Sequence, residues 1–146
     1  MKTAAEVLRS KPYAYVYSVD SEDSLVDGLR IMAEKGVGAL VVMSGGRLVG
    51  IVSERDYVRK VALADLSVLE TKISHIMTRD VISVGPRDSV QHCMELMTER
   101  RLRHLPVLAE GELIGLLSIG DLVKDTIAEQ ANLIRQLEQY IRGEIP

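Results

Sequence analysis

Residues 18–58, SVDSEDSLVDGLRIMAEKGVGALVVMSGGRLVGIVSERDYV, return as residues 83–123, SVGPRDSVQHCMELMTERRLRHLPVLAEGELIGLLSIGDLV, at a constant interval of 65 with no insertion or deletion. Apolar pairs such as Met32/Met97 and Val42/Val107 recur, and so do the polar and turn pairs Asp23/Asp88, Ser24/Ser89, Gly46/Gly111, Ser53/Ser118 and Asp56/Asp121. A repeated fold requires only that the apolar pattern return. Polar residues kept at matched turns and helix starts point to a surface feature duplicated with the fold, and so to two related sites.

Each copy reads as the same succession of elements. An extended run, residues 15–19 or 81–84, leads to a helix start at Asp23-Ser24 or Asp88-Ser89. The helix face follows at Leu25, Leu29, Met32 and Ala33, and again at Val90, Met94 and Met97 with Cys93 beside them. Two β-rich segments come next, residues 39–43 and 48–53 joined by Ser44-Gly45-Gly46. Their counterparts are residues 105–108 and 113–118, joined through Glu110-Gly111. A final helix opens near Glu54 or Ile119. The predicted class is α/β (α+β), with tandem β-α-β-β-α repeats packed about a pseudo-two-fold axis, because neither half holds much core alone and mutual packing covers both apolar faces.

A looser echo, Glu6-Val7-Leu8 against His75-Ile76-Met77, runs 69 apart, so the first copy carries four extra residues around Lys11 to Tyr15. A loop absorbs such an insertion. The expected organisation is a first repeat with an N-terminal helix over residues 1–66, a second repeat over 67–124 and a helical extension over 125–146, all in one integrated module. In the extension Ile127, Ile134 and Ile141 lie seven apart, with Ala131, Leu137 and Tyr140 nearby. That stripe fits a helix packed on its own domain or a self-association helix; it runs for only ~3 heptads and includes Gln130.

Composition narrows the function. The net charge of −3 is built from interspersed acids and bases, with no Trp or Phe and five scattered Tyr, which argues against nucleic-acid binding. The longest apolar runs fall far short of the ~20 residues of a membrane span, and Glu6 and Arg9 interrupt the first eleven residues, which do not resemble a signal peptide. The single cysteine, Cys93, cannot bridge internally and sits on an apolar helix face, as an inert thiol in a reducing compartment would. The expectation is a cytoplasmic protein without membrane or nucleic-acid partners.

The chemistry concentrates at two strand-to-helix corners, Gly50-Ile51-Val52-Ser53-Glu54-Arg55-Asp56 and Gly115-Leu116-Leu117-Ser118-Ile119-Gly120-Asp121. The serine falls at the N-cap and the aspartate at N3, where unpaired backbone N–H groups favour an anion. An ionised aspartate accepts hydrogen bonds from two neighbouring hydroxyls, as a ribose diol presents, and the apolar strand residues offer a slot for a base. Taken singly, each motif is also a capping box, which stabilises a helix by about 0.5–2 kcal/mol with no ligand. Its duplication behind a glycine-led strand tilts the reading toward a ligand site. An enzyme is not expected: there is no Gly-x-Ser-x-Gly elbow, no phosphate loop ending Gly-Lys-Ser/Thr, and no metal-spaced pair among His75, His92 and His104.

With Ile76-Met77-Thr78 and Arg103-His104-Leu105-Pro106-Val107 added to these motifs, the chain resembles a cystathionine-β-synthase (CBS) domain pair, or Bateman module, over about residues 3–124. The resemblance implies a homodimeric sensor that acts on a partner protein and binds an adenosine ligand, AMP, ADP, ATP, NAD(H) or S-adenosylmethionine, in clefts shared between the repeats. It implies that Asp56 and Asp121 hold ribose and that Ser53 and Ser118 hold phosphate, with Glu54, Arg55 and Ile119 beside them. Backbone near Tyr17-Ser18 and Ile82-Ser83 would face the adenine. Since such clefts draw the segment before the hairpin from the opposite repeat, Arg103, His104 and Pro106 are expected in a charged Asp56 cleft, and Gly38 and Ala39 in a roomier, less charged Asp121 cleft. The alternative is an interaction or dimerisation module with vestigial pockets.

Overall fold

The computed structural model describes residues 2–11 and 16–143. In chain order the elements are α1 (Ala4–Ser10), β1 (Ser18–Asp20), α2 (Leu25–Lys35), β2 (Ala39–Ser44), β3 (Arg47–Ser53), α3 (Glu54–Tyr57) continuing into a π-helical turn at Val58–Ala62, α4 (Ile73–Ile76), α5 (Val90–Arg100), β4 (His104–Ala109), β5 (Glu112–Ser118) and α6 (Ile119–Ile141). The Asp-Ser signals become helix starts as expected. The hydroxyl of Ser24 accepts from the amide of Asp27 at 3.2 Å, and that of Ser89 from His92 at 3.0 Å. Both hairpins turn on two residues with positive φ, Gly45-Gly46 and Glu110-Gly111, a conformation that matches the twist of the flanking strands.

The two sheets are not equal. In the first repeat β1 runs parallel to β2, which pairs antiparallel with β3; the second repeat has only the antiparallel pair β4–β5. The extended run at residues 81–84 is reduced to one parallel bridge, Val84 to Val107. The cause is two prolines. Ser21 donates its amide to the carbonyl of Met43 at 3.1 Å, and its counterpart 65 residues on is Pro86. Val41 donates its amide to the carbonyl of Tyr17 at 3.4 Å, whereas its counterpart 65 residues on is Pro106, which has no N–H to give. The opening run at residues 15–19 is a strand from Ser18 onward, and Tyr15 lies outside the described residues.

Both hairpins carry a register shift at the same place, between Val42 and Met43 and between Val107 and Leu108. Opposite the shifts stand Gly50 and Gly115, and each lets another segment lie directly on the strand. Over Gly50 sit the Met77 side chain and the Thr78 carbonyl, 2.8 and 2.9 Å from where a Cβ would be; over Gly115 sits Leu8, at 2.6 Å. Leu8 and Met77 are the 69-residue echo, so it is structural. It is also crossed: α1 packs on the second repeat, and α4 on the first.

The cores record the exchange. Ala4 and Val7 are buried with Val84, Val90, Cys93, Met97, Leu105, Val107, Leu117 and Leu122, while Ile73, Ile76 and Met77 are buried with Val19, Leu25, Met32, Leu40, Val42, Val52 and Val61. Backbone hydrogen bonds repeat the same logic: Ala4 donates to Asp88 at 2.8 Å and Ile73 to Asp23 at 2.9 Å. The N-terminal helix, assigned by sequence to the first repeat, therefore completes the core of the second. A 1–66/67–124 division cuts across this packing. Roughly 25 cal/mol per Å² of apolar surface removed from water favours the arrangement, since each short helix covers a sheet face that its own repeat leaves open.

The long α6 splits into two regimes. Leu122 and Asp125 are buried against the module, whereas from residue 130 onward every described residue is exposed, including Leu133, Ile134, Leu137, Tyr140 and Ile141. Among the described residues no helix is long and apolar enough to cross a membrane.

Candidate functional site

Both Ser-x-x-Asp corners form as reciprocal capping boxes. At the first, Asp56 Oδ2 accepts from the Ser53 amide at 2.9 Å and from its hydroxyl at 3.1 Å, while the Asp56 amide donates to Ser53 Oγ at 3.1 Å. At the second, Asp121 Oδ2 accepts from the Ser118 amide at 2.8 Å, and its own amide donates to Ser118 Oγ at 3.1 Å. The first helical amides are taken too: Glu54 donates to the Gly38 carbonyl at 3.1 Å and Ile119 to that of Arg103 at 2.8 Å. The local motif thus does the capping work its sequence allows. Any ligand role rests on what the corners leave over and on what surrounds them.

Each aspartate has a lysine. Lys60 reaches Asp56 Oδ1 at 3.1 Å and also donates to the Ile76 carbonyl at 2.8 Å. Lys11 reaches Asp121 Oδ2 at 2.9 Å and donates to the Leu116 carbonyl, also at 2.9 Å. The difference matters. At Asp56 both carboxylate oxygens are engaged, whereas at Asp121 both the cap and the lysine use Oδ2, and no described residue donates to Oδ1.

Around Asp121 the two repeats enclose a cavity of about 880 Å³. Tyr17, Val37, Gly38 and Ala39 come from the first repeat; His104, Ile114, Leu116, Ser118, Asp121 and Lys124 come from the second; Leu8, Arg9 and Lys11 come from α1 and its end. Here Gly38 and Ala39 stand with Asp121, as the cross-repeat expectation has it. His104 does not follow that expectation. It opens β4 directly across from Ser118 and so lines the cavity of its own corner. Its Cε1 also lies about 4.0 Å from the Cβ position of Gly38, where Glu54 Oε1 comes equally close, so the imidazole stands at the seam of the repeats.

The remaining candidates disperse. Arg103 is exposed and gives its carbonyl to Ile119; Pro106 is buried in β4, its carbonyl accepting from Val84; neither lines the cavity. Ile82 packs against the second core, and Ser83 is exposed. Ser18 is exposed on β1, where a shallower pocket of about 470 Å³ is shared by Tyr17, Ser18, Ile31 and Lys35. Lys35 holds its ammonium 5.7 Å from the centre of the Tyr17 ring. Glu54, Arg55 and Ile119 are exposed beside their caps.

Electrostatics set the charge states. Burial works against an ionised Asp121, yet the Ser118 amide and the Lys11 ammonium outweigh it and hold the carboxyl below its ordinary value. Burial pushes the His104 imidazole below its ordinary value, and Lys11 and Arg103 push the same way against the opposing pull of Asp121. The Asp121 cleft, expected to be the less charged, holds three cations, Arg9, Lys11 and Lys124, against one lining carboxylate. These three were missed in the sequence. Lys11 falls at the edge of the insertion, where the repeat gives no guide. Lys124 has a basic counterpart 65 residues earlier, Arg59, three residues after the other aspartate, a signal that could have been read.

Comparison with known proteins bears on the fold. The family model described as the CBS domain matches residues 4–63 and 73–128. A CBS domain-containing protein of Arabidopsis thaliana, CBSX3, mitochondrial, is 37% identical over 149 residues, covering 97% of this chain and 72% of its own length. Three longer relatives are spanned over only 45%, 21% and 22% of their lengths. Among solved structures, a protein with CBS domains from Burkholderia ambifaria MC40-6 superposes with a TM-score of 0.86 at 51% identity, covering 88% of this chain and 96% of that one. The CBS domain pair of protein MJ0100, solved with 5′-methylthioadenosine and S-adenosyl-L-methionine, shares the fold with a TM-score of 0.76 at 22% identity over 88% of this chain and 98% of that one.

Proposed function

We propose, since this chain belongs to the CBS-domain family and carries two copies of the domain, that it is a regulatory rather than catalytic module. In this reading it binds an adenosine-containing ligand between its repeats and transmits occupancy to a partner protein. One observation carries the reading: the Asp121 cavity is walled by both repeats and by α1, so a ligand there touches three segments whose relative placement it would bias. Asp121 Oδ1 is the acceptor left for a ribose hydroxyl, with Ser118 beside it and the apolar Val37, Ala39, Ile114 and Leu116 as walls for a base. The tail-bearing candidates are AMP, ADP, ATP and NAD(H).

Calorimetry against a panel of adenosine compounds tests this. Binding of at least one, with melting shifted by about 2.7 kcal/mol at a hundredfold excess over Kd, is expected. A flat panel with no melting shift refutes it.

A second reading has its own support. The complete capping boxes leave little vacant at Asp56, and Leu133, Ile134, Leu137 and Ile141 present an exposed apolar stripe on α6. An interaction or homodimerisation module with vestigial pockets would use that stripe. Sedimentation of the chain beside an Ile134→Lys/Leu137→Lys variant reads it: loss of a dimer in the variant supports it, and a monomer in both excludes self-association through α6.

A further inference from the structure

We infer that α1 is a strap with one weak end, and that Lys11 is a tethered competitor for the Asp121 carboxylate which a bound ribose diol must displace. The inference rests on the adenosine-ligand reading above and adds how that site is regulated. A lysine stands at each end of the helix. Lys2, just before α1, reaches Asp125 Oδ1 at 2.7 Å, and Lys11, its C-cap, reaches Asp121 Oδ2 at 2.9 Å. The two aspartates are four residues apart on α6, a spacing that puts them on one helix face. The first repeat is wired differently. There Asp56 takes its cation from four residues along its own segment, at Lys60. The residue 65 beyond Lys60 is Asp125, so the second repeat draws the cations for Asp121 and Asp125 from the N-terminal segment.

The two fastenings are unequal. The Asp125 side chain is 4% accessible and its Oδ2 has no hydrogen-bond partner among the described residues, so losing Lys2 would leave a buried charge without compensation. Backbone bonds hold the same end: Ala4 donates to Asp88 at 2.8 Å and Val90 to Lys2 at 3.0 Å. At the other end both Lys11 and Asp121 are partly exposed, and such pairs are weak. Opening therefore begins at Lys11 and hinges toward Lys2. Asp121 Oδ2 already accepts from the Ser118 amide at 2.8 Å and from Lys11, which fills its two lone pairs. One ligand hydroxyl can bond Oδ1 with Lys11 in place. The second hydroxyl of a diol needs Oδ2 and must take the place of the ammonium. Ribose binding and release of the last turn of α1 are thus one equilibrium, and the apparent affinity scales with the fraction of chains in which Lys11 stands open.

The experiment compares adenosine with 2′-deoxyadenosine, and ATP with 2′-deoxy-ATP, by calorimetry on the full chain and on Lys11→Met, Lys11→Gln and Lys11→Arg. The ratio of ribo to deoxy affinity isolates the second hydroxyl, since any effect of the phosphates cancels within each pair. In Lys11→Met and Lys11→Gln that ratio should rise about two- to fivefold, the range a partly exposed ion pair can withhold, and in Lys11→Arg, which keeps a cation, it should stay near the parent's. Melting curves check that each variant folds, and the glutamine variant carries the test should methionine perturb the helix end. Amide exchange reads the hinge: saturating ligand should speed exchange at Lys11 and leave Ala4 and Val90 protected. A ratio that stays or falls in both neutral variants, or rises equally in Lys11→Arg, overturns the inference and leaves the adenosine reading standing. An Ala4 amide released together with that of Lys11 does the same. Absence of binding by all four compounds to every chain overturns both.

Discussion

The ammonium of Lys11 lies 2.9 Å from the carboxylate of Asp121, which ties the end of the N-terminal helix to the corner of the second repeat. This is the polar side of an exchange whose apolar side is Leu8 on Gly115. Both partners are partly exposed, with side chains 25% and 21% accessible, so the pair is worth at most about 1 kcal/mol to folding. Its effect on Asp121 is the more telling. Lys11→Met should cost little in a melt yet raise the Asp121 pKa toward the ordinary aspartate value, readable by NMR titration of the carboxyl carbon. An unmoved titration would mean that the Ser118 amide alone sets the charge.

Acid should act on this corner in two stages. The His104 pKa is lowered by burial, so its contribution to stability is complete above the unfolded value of about 6.5 and is lost as pH falls through the lower folded value. The Asp121 pKa is also lowered, so its contribution is complete above about 3.8 and is lost only in stronger acid. Melting temperature followed from pH 8 to 3 should therefore fall first in a step absent from His104→Gln. A later step should be absent from Asp121→Asn. A His104→Gln profile that overlays the parent between pH 7 and 5 contradicts the first assignment.

The serine caps and the aspartates can be separated by readout. Ser53→Ala and Ser118→Ala each remove one cap and should cost about 1 kcal/mol, and the Ser118 change bears on the longer helix. For binding, Asp56→Ala and Asp121→Ala should not be equivalent. If two clefts are used, each variant removes one binding event and spares the other. With the cavity at Asp121 and both oxygens of Asp56 already engaged, the larger loss is expected for Asp121→Ala. Equal loss of all binding in both variants would contradict separate clefts.

Cys93 should be inert in the folded chain. It is fully buried in the second core, and burial, with Asp88 adding to it, pushes the thiol up to about 11. A thiol reagent at pH 8 should label the chain only at the rate of unfolding, with labelling becoming fast in denaturant. Rapid stoichiometric labelling of the native protein would show that α5 opens locally.

What the sequence revealed and what it concealed both follow from the duplication. An interval of 65 fixes elements that repeat, so the caps at Ser24 and Ser89, the two-residue turns and the Ser-x-x-Asp corners were legible from identities alone. The missing parallel ladder in the second repeat was legible too, in Pro86 and Pro106 standing where Ser21 and Val41 donate, but only to a reader asking which amides must pair. The crossing of α1 and α4 was not, because periodicity identifies an apolar face without saying which sheet it covers. That gap misplaced the charge: once α1 belongs to the second repeat, Arg9 and Lys11 arrive at Asp121, and the cleft expected to be less charged becomes the cationic one.

The exchange also makes the two repeats unequal in what they tolerate, and the matched glycines measure it. A Cβ on Gly50 would lie 2.9 Å from the Thr78 carbonyl oxygen, a backbone atom that accepts the Ile51 amide at 3.0 Å. It cannot retreat without breaking that bond, so Gly50→Ala should destabilise by about 1–3 kcal/mol. A Cβ on Gly115 would meet the Leu8 side chain first, at 2.6 Å, the far end of a flexible group on a short helix. Leu8 must move, but it has rotamers to move into, and alanine also reduces the freedom of the unfolded chain by roughly 0.4–1 kcal/mol, so the net cost of Gly115→Ala should be smaller. The cause is separable by a double-mutant cycle in which Leu8→Ala makes room. Leu8→Ala should destabilise on its own yet show a favourable coupling with Gly115→Ala and none with Gly50→Ala. Coupling to Gly50 instead, measured by denaturant melts of the six chains of the two cycles, would place the N-terminal helix on the first repeat and undo the crossed arrangement from which the cationic cavity follows.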